Sequence, residues 1–411
     1  MLLAGIALPS ILVNATGSST LFNDTGSEVY GLRVVFDQPV KITRMGEAFA
    51  NWAAEQDGAA LLFGNGSVGV WEDFYFFWEP KEATLLSYDW LSQARALEDA
   101  PAVKPVVAAV QEVSGTLYRD KTWSGTVRVT GDVYVPPGRT LTILPGTIVR
   151  FAPRSDSVNH PSGFNNCPAP KAELIVEGTL NAQGTKAKPI LFTSNGSLPQ
   201  PGDWGGIILH GAARPVTLSY LIIEYADINL TAFSSGIVVE NCIIRNAYGG
   251  LDDCPTANHW EVRTGLFLTG ERSIVRNCEV ANCTWGFHIG QEDPTKVAIR
   301  IENCHIHDNN VTSSGFDVPN GIHIFNSNVH IEGNTIENND WGIEVGVRSK
   351  VVILANTLAG NSVGVVQYYE DVRELSQGYL CDNQTEGNGM DYAKMTPWGP
   401  GSMPEDWFRC P

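Results

Sequence analysis

The fold of this chain is decided by a seven-residue pattern, which reads Glu-Asn-Cys-Ile-Ile-Arg-Asn at residues 240–246. Variants return at residues 276–282, 302–308, 332–338 and 354–360, each with a Cys or Asn followed two residues later by Ile, Val or Leu. A second apolar segment follows each copy and begins at a glycine, namely Gly265, Gly286, Gly321, Gly342 and Gly364. The shortest spacings between these glycines, 21 and 22 residues, give the length of the repeat.

A repeat of this length, with two to three short strands, predicts one coil of a parallel β-helix. No single coil can bury its apolar face, whereas stacked coils form a continuous core. An Asn at a turn tolerates the left-handed backbone conformation and can bond the Asn of the next coil. A leucine-rich repeat is the rival solenoid, but its helical half and its Leu pattern are missing from the sequence. We therefore predict an all-β fold, a right-handed parallel β-helix.

The sequence resembles the right-handed parallel β-helix proteins of the pectin-lyase-like superfamily. The resemblance rests on the Asn-Cys/Asn repeats, on the opening segments at residues 133–138 and 141–151, and on Pro201-Gly-Asp-Trp-Gly-Gly-Ile. It covers residues 119–370 and implies the fold, not one function, because such helices serve as lyases, hydrolases, epimerases, adhesins and envelope components. The lyases among them use clustered acidic calcium ligands beside an Arg or Lys base, and that set cannot be assigned here.

Five segments are predicted along the chain. They are a signal-like apolar segment at 1–17, a small β-sandwich-like module at 18–92, a linker with a short helix at 93–118, the β-helix at 119–375 and a C-terminal capping tail at 376–411. A buried first strand is the alternative for the apolar segment.

Charge and composition exclude several functions. The 411 residues carry a net charge of -18, which disfavours nucleic acid and anionic membranes as partners. With 43% hydrophobic and 18% charged residues the chain is not disordered. No stretch has the length and apolarity of a membrane span. The partners left to consider are glycans or cell-envelope components, and a homo-oligomer stays open.

Cysteines and glycosylation sequons predict an extracellular or cell-surface protein. Cys381 and Cys410 are candidates for one disulfide and Cys167 and Cys254 for another, whereas Cys242, Cys278 and Cys304 share a repeat position typical of buried free thiols. Predicted glycosylation acceptors are Asn14, Asn23, Asn65, Asn195, Asn229, Asn310 and Asn383. Asn282 also lies in a sequon, but the repeat predicts that it points inward.

The candidate site follows from the alternation of the Gly-initiated strands. The residue two after each Gly should point outward, and this position holds Phe267, His288, His323, Glu344 and Val366 in successive coils. Because neighbouring strands lie about 4.8 Å apart, we predict that His288, His323 and Glu344 form a contiguous ladder. Two imidazoles and a carboxylate can bind a metal or divide acid and base roles on a sugar, and these three are the predicted catalytic residues.

Other residues are predicted to surround this ladder. Trp285 and Trp341 precede two of the glycines, and long insertions bring Asp252 and Asp317 to the same face, so these four are the predicted substrate-binding residues. Asp252 and Asp253 are an acidic pair, which makes Ca²⁺ the one cofactor to consider. The alternative is a surface ion pair between His323 and Glu344, with the tryptophans filling a turn. His305 and His307 have zinc-like spacing without a third ligand, and surface positions suit them better.

Two classes of function remain from the sequence. The first, which we favour, is a non-enzymatic extracellular solenoid with a structural, adhesive or glycan-binding role, self-assembling in an envelope layer. The second is a polysaccharide lyase, hydrolase or epimerase that acts on an acidic glycan along the ladder. The absence of an assignable catalytic set favours the first class.

Overall fold

The structure is a computed structural model that separates into two units, Met1–Ala109 and Val110–Pro411. In the first unit it describes residues 11–15, 18–22, 31–36, 40–45, 51–55, 60–64, 73–79 and 85–91. In the second unit it describes residues 111–157, 171–211, 216–247, 264–311, 318–368, 376–396, 399–403 and 407.

The first unit is a β-sandwich, as predicted. Its strands are β1 (Ile11–Ala15), β2 (Ser18–Phe22), β3 (Gly31–Phe36), β4 (Lys41–Met45), β5 (Asn51–Glu55), β6 (Ala60–Gly64), β7 (Asp73–Glu79) and β8 (Leu85–Leu91). They form two four-stranded antiparallel sheets, in the orders β1-β2-β7-β4 and β5-β6-β3-β8. Phe63 and Phe76 come from different sheets, are fully buried, and have ring centroids 5.2 Å apart. Their contact therefore joins the two sheets into one core.

The apolar N-terminal segment supplies a strand to this sandwich. Residues 11–15 pair with β2 in an antiparallel hairpin. This part of the segment is therefore a strand, as in the alternative given for it. Residues 1–10 lie outside the described part of the chain, so cleavage of a signal peptide stays a prediction.

The second unit is a solenoid of short parallel strands. In chain order they are β9 (Gln111–Thr116), β10 (Lys121–Trp123), β11 (Thr126–Val135), β12 (Thr140–Ile143), β13 (Ile148–Phe151), β14 (Glu173–Val176), β15 (Thr179–Gln183), β16 (Ile190–Ser194), β17 (Trp204–Leu209), β18 (Thr217–Ser219), β19 (Leu221–Glu224), β20 (Ala226–Ala232), β21 (Val238–Glu240), β22 (Ile243–Arg245), β23 (Thr264–Leu268), β24 (Ile274–Arg276), β25 (Glu279–Ala281), β26 (Trp285–Gly290), β27 (Ile299–Glu302), β28 (His305–His307), β29 (Asn320–Phe325), β30 (Asn328–Glu332), β31 (Thr335–Glu337), β32 (Trp341–Val345), β33 (Lys350–Leu354), β34 (Thr357–Ala359), β35 (Val363–Gln367), β36 (Gln377–Cys381), β37 (Gln384–Glu386), β38 (Met390–Thr396) and β39 (Gly399–Gly401).

These strands build three parallel sheets, to which each complete coil contributes one strand apiece. The first sheet has ten strands in the order β10-β12-β15-β18-β21-β24-β27-β30-β33-β36. The second sheet runs from β13 to β37 and the third from β14 to β38, both in steps of one coil, and β11 is long enough to begin both. This architecture confirms the predicted β-helix.

The β-helix extends beyond its predicted limits of 119–375. At its start, β9 pairs in parallel with β11, so the predicted linker contributes the first strand; residues 92–110, where a short helix was expected, lie outside the described residues. At its end, β36, β37 and β38 form one more coil inside the predicted tail. After that coil, β39 turns back antiparallel to β38, and Met403 and Trp407 are buried in the solenoid core. The β-helix thus extends through Thr396, beyond the predicted limit of 375, and a capping role for the residues after it stays a prediction.

Buried side chains form ladders at the turns between sheets. At the turn from the first sheet to the second, Cys278 Sγ accepts the Cys242 N–H at 3.4 Å, and Asn334 Oδ1 accepts the Cys304 N–H at 2.8 Å. At the turn from the second sheet to the third, the ladder begins at Cys283, whose N–H donates to Asn309 Oδ1 at 3.0 Å. In both turns a side chain of one coil accepts the backbone N–H of the coil before it, so that the stack satisfies its own buried donors.

The same turns explain which Asn residues point outward. The residue before each ladder position takes a positive φ, as in Asn241 (55°), Asn277 (54°) and Asn282 (52°). Asn282 is therefore exposed, and Cys283 after it is buried, which corrects the prediction that Asn282 points inward. The two roles expected of one Asn, the left-handed turn and the bond between coils, belong to neighbouring residues.

Two predicted glycosylation acceptors use their side-chain nitrogens for hydrogen bonds within the β-helix. Asn229 is 0% exposed, and its Nδ2 donates to the Arg245 carbonyl at 2.9 Å. Asn383 Nδ2 donates to the Ile353 carbonyl at 2.8 Å and its Oδ1 accepts from Asn356, so it belongs to the ladder. A glycan on either nitrogen would break these contacts, so the prediction is wrong for both. Asn310 is exposed and Asn195 half-buried, the side chain of Asn14 is not described, and Asn23 and Asn65 lie outside the described residues.

The described cysteines fall into two groups. Cys242, Cys278, Cys283 and Cys304 are buried free thiols, which confirms the prediction for the three of them that share a repeat position. Cys381 is also buried but is not one of the free thiols. Its predicted partner Cys410, and the pair Cys167 and Cys254, lie outside the described residues, so both disulfides stay predictions.

Candidate functional site

The predicted ladder is aligned on the third sheet as the sequence indicated. Phe267 pairs with His288, His288 with His323, His323 with Glu344 and Glu344 with Val366, through the strands β23, β26, β29, β32 and β35. The alternation holds because the residues on either side, such as Phe287 and Ile289, are fully buried in the core. The alignment is confirmed, while a catalytic role for these residues stays a prediction.

A column of glycines allows the coils to stack at the start of these strands. A Cβ on Gly286 would lie 2.5 Å from the Gly321 carbonyl oxygen, and a Cβ on Gly321 would lie 2.6 Å from that of Gly342. Only glycine fits such close backbone approach. The residue before each glycine, Trp285 among them, then reaches the outer face of the sheet.

The outer face of the third sheet is enclosed at this ladder. His288 is 7% exposed, His323 5%, Glu344 8% and Trp285 5%. The histidines and the glutamate point away from the core but are buried, and charge and hydrogen bonding have larger effects there than at the surface.

Aromatic rings hold the two histidines in place. The Trp285 ring stacks on His323, with centroids 4.8 Å apart and planes 19° apart, and meets His288 edge-on at 5.1 Å. The imidazoles of His288 and His323 are 4.8 Å apart at 74°, and Phe267 lies 4.8 Å from His288 on its other side. Each imidazole therefore has little freedom to rotate.

Asn320 organises the carboxylate end of the ladder. Its Nδ2 donates to Glu344 Oε2 at 2.7 Å and to the Val318 carbonyl at 3.1 Å. Trp285 Nε1 donates to the same carbonyl at 3.0 Å. The other carboxylate oxygen, Oε1, lies 3.7 Å from His323 Nε2. Asn320, Trp285, His323 and Glu344 thus form one connected cluster, which we call the third-sheet site.

Sequence reasoning did not find Asn320. It occupies the row of Trp285 and Trp341, because Trp285 pairs with Asn320 and Asn320 with Trp341. The signal was available, since Asn320 precedes Gly321 just as the two tryptophans precede their glycines.

Burial controls the protonation of the central histidine. The pKa of His323 lies well below its ordinary value of 6.5, first because burial disfavours the charged ring and then because of the neighbouring His288. At neutral pH His323 is uncharged, so it can accept a proton or bond a neutral partner.

Several polar atoms on this face have no hydrogen-bond partner. They are Thr231 Oγ1, Thr264 Oγ1, Asn320 Oδ1 and His323 Nδ1, all buried. Thr231 is level with Phe267 in the ladder, and Thr264 is level with Trp285 in the neighbouring row. Buried polar atoms are almost always satisfied in folded proteins, so an unsatisfied group of them marks a place for water or a ligand.

Of the remaining predicted site residues, Trp341 borders the third-sheet site, because it pairs with Asn320 on the neighbouring strand. Trp341 is half-buried, two coils from Trp285, and its ring lies 6.4 Å from that of Tyr368. Asp252, Asp253 and Asp317 lie outside the described residues. Within the described part of the chain, no cluster of His, Cys, Asp and Glu could hold a metal ion, and a Ca²⁺ site at Asp252 and Asp253 stays a prediction.

His305 and His307 lie on the second sheet, away from this site. Their rings stack at 4.1 Å, and each bonds a carboxylate, His305 to Glu337 at 2.7 Å and His307 to Asp308 at 2.7 Å. Both are at least partly exposed, in agreement with the surface positions expected for them.

Comparisons with known proteins identify the fold. A model of the pectate-lyase-like β-helix domain matches residues 115–229, and a model of the right-handed β-helix region matches residues 252–392. A search of curated proteins finds no match.

Solved structures that align with this chain do so at low sequence identity and low TM-score. The catalytic domain of a GH87 α-1,3-glucanase in complex with tetrasaccharides is 11% identical, with a TM-score of 0.39 and coverage of 94% of this chain and 90% of that one. The periplasmic alginate epimerase AlgG is 10% identical, with a TM-score of 0.33 and coverage of 66% and 76%. Tailspike protein 2 of Bacteriophage CBA120 is 13% identical, with a TM-score of 0.29 and coverage of 94% and 50%. Together with the three parallel sheets, the two family matches show that this chain is a right-handed parallel β-helix protein.

Proposed function

We propose that this protein binds a glycan at the third-sheet site. The observation that carries the proposal is the group of buried polar atoms without partners, which lies among aromatic rings on one face of the sheet. Ligand sites combine apolar and aromatic walls with a few convergent polar groups. Sugars suit such a site, because their hydroxyls form hydrogen bonds and their C–H faces pack on aromatic rings.

Binding to a panel of soluble glycans tests this proposal. We expect Trp341→Ala and His323→Gln each to weaken binding by about tenfold, the effect of losing one contact of about 1.4 kcal/mol. Tyr379→Ala is the matched control, because Tyr379 is 40% exposed on the first sheet. Thermal melts of all three variants report folding. Equal affinities of Trp341→Ala, His323→Gln and the control, or no binding of any glycan by the wild type, would contradict the proposal.

A second candidate function is acid–base cleavage or epimerisation of a glycan. One observation favours it: the uncharged, buried His323 lies 3.7 Å from the Glu344 carboxylate, the arrangement of a base beside a group able to carry a proton. We expect an enzyme of this kind to generate reducing ends or unsaturated products from polysaccharide, with and without Ca²⁺. Turnover that disappears in His288→Ala/His323→Ala would favour it, and binding without turnover would exclude it.

We also propose an extracellular or cell-surface location, with glycans or cell-envelope components as partners. The accessible sequons at Asn282 and Asn310 support this location. No helix in the part of the chain that the structure describes is long and apolar enough to cross a membrane. Glycopeptide mass spectrometry on protein purified from its native source tests the location, because unmodified Asn282 and Asn310 would remove this support.

A further inference from the structure

The chemistry of the two outer rows of the third sheet indicates which glycans the site accepts. One row contains Thr231, Phe267, His288, His323, Glu344 and Val366, and the other contains Thr264, Trp285, Asn320, Trp341 and Val363. Neither row, within these described strands, contains Lys or Arg. Proteins recognise carboxylates and sulfates with Arg or Lys, whose donors match the geometry of the anion. The strands of this site offer no such group.

We propose that the ligand of the third-sheet site is an uncharged, hydroxyl-rich glycan and not a uronic-acid polymer or another polyanion. This inference rests on the proposed function, since it names the class of glycan bound at the same site. It differs from the acidic glycan that the sequence led us to consider.

Asn320 gives the most specific argument. Its Nδ2 faces two acceptors, Glu344 Oε2 and the Val318 carbonyl, so the amide orientation is fixed and Oδ1 is the atom without a partner. An amide oxygen can only accept a hydrogen bond, and a ligand carboxylate can only accept as well. A sugar hydroxyl donates to Asn320 Oδ1, whereas a carboxylate at the same place leaves it unpaired and repels it.

The other polar atoms agree with this assignment. The hydroxyls of Thr231 and Thr264 both donate and accept, as sugar hydroxyls do. His323 is uncharged because burial lowers its pKa, so it brings no positive charge to attract an anion. Glu344 places an acceptor oxygen 2.7 Å from Asn320 Nδ2, so a ligand carboxylate beside it would bring one acceptor against another. The net charge of -18 adds long-range repulsion of polyanions.

A pair of polymers with one backbone and two charge states tests the inference. We would measure binding of the full-length protein to polygalacturonate and to its fully methyl-esterified form, together with neutral β-glucan, α-glucan and xylan. We expect at least one uncharged polymer to bind, and the esterified polymer to bind about tenfold more tightly than polygalacturonate at low salt. Glu344→Gln keeps an acceptor for Asn320 and should reduce the ratio of the two affinities, esterified polymer over polygalacturonate, several-fold.

Glu337→Gln is the matched control for charge. Glu337 lies on the second sheet, bonded to His305, so this variant removes the same charge outside the site. We expect it to leave the ratio unchanged. An equal change in Glu337→Gln and Glu344→Gln would assign the discrimination to overall charge and overturn the inference.

The outcomes separate this inference from the proposed function. If the protein prefers polygalacturonate and Trp341→Ala abolishes this preference, the inference of an uncharged ligand is wrong, while the proposal of a glycan site at the third sheet stands. No binding of any polymer would overturn both. Binding of uncharged polymers alone, weakened by Trp341→Ala, is the result we expect.

Discussion

The buried asparagine ladder between the second and third sheets should be the most sensitive point of the β-helix. Asn339 Oδ1 accepts from the Asn309 N–H at 3.1 Å and from Asn309 Nδ2 at 2.9 Å. Its Nδ2 donates to the Ile306 carbonyl at 3.1 Å and to Asn361 Oδ1 at 3.0 Å. One buried side chain therefore connects three successive coils, and Asn339→Ala removes all four hydrogen bonds.

The cost of this substitution can be worked from those four contacts. Loss of the acceptor leaves the buried Asn309 N–H without a partner, at about 1–3 kcal/mol, and each of the other three bonds contributes about 1 kcal/mol net. We expect Asn339→Ala to lower the free energy of unfolding by about 4–6 kcal/mol. A loss of this size is exceptional for a single substitution and a large part of the stability of a typical domain.

Asn388 provides a control within the same ladder. It also accepts from the Asn361 N–H and Nδ2 and donates to a backbone carbonyl, Leu358 O, at 2.8 Å, but it is only half-buried in the last coil. Water can replace its bonds, so we expect Asn388→Ala to cost about 1–2 kcal/mol. Urea denaturation followed by tryptophan fluorescence measures both, and hydrogen exchange shows whether opening is centred on the coils around Asn339. Equal costs for the two variants, or a cost below about 1 kcal/mol for Asn339→Ala, would refute the reasoning.

Two further predictions concern backbone conformation and pH. Ala355 has a φ of 53°, a conformation that costs a non-glycine residue about 1–2 kcal/mol, whereas Gly333 holds the equivalent turn one coil earlier. Ala355→Gly should raise the thermal midpoint and Gly333→Ala should lower it; a lower midpoint for Ala355→Gly would show that the strain is not relieved. Hydrogen bonding to Glu279, and then to Asp308, raises the pKa of His307 to about 8. Because the folded pKa exceeds the unfolded value of about 6.5, this stabilisation, at most about 2 kcal/mol, is complete below pH 6.5 and is lost as pH rises through 8. Urea midpoints measured from pH 5.5 to 9 should fall over this window in the wild type and less in His307→Asn, and parallel profiles would contradict the assignment.

Local periodicity was sufficient to predict the repeat and the register of the ladder. The position two residues after the glycine of each repeat holds His288, His323 and Glu344 in successive coils, and the structure aligns them as neighbours. The free thiols were predictable for the same reason, since Cys242 and Cys278 occupy one inward position of the repeat.

Features that depend on which neighbour a residue meets could not be predicted. The last coil, which was assigned to the tail, departs from the repeat at Thr385, where earlier coils have Leu or Ile, as at Leu358, with which it pairs. A terminal coil has core on one side only, so its strand tolerates a polar residue. The error at Asn282 arose because the positive-φ residue and the inward residue are adjacent, and the pattern did not show which of them was the Asn.

The position of the third-sheet site follows from where the coils are interrupted. In the coils of β26, β32 and β35 the chain passes from the second sheet to the third in a turn of three residues, 282–284, 338–340 and 360–362. In the coils of β23 and β29 it leaves β22 at Arg245 and β28 at His307 and re-enters only at Thr264 and Asn320. The ladder is kept through the second of these insertions, because Asn309 still bonds Asn339 and the N–H of Cys283. The core can therefore stay regular while the chain departs after Asn309. The two strands that follow the insertions carry Phe267 and His323, and the strand between them in the sheet carries His288. A rigid stack that keeps its core while its turns accept insertions can position a site beside them, which favours a functional over a purely structural origin for this ladder.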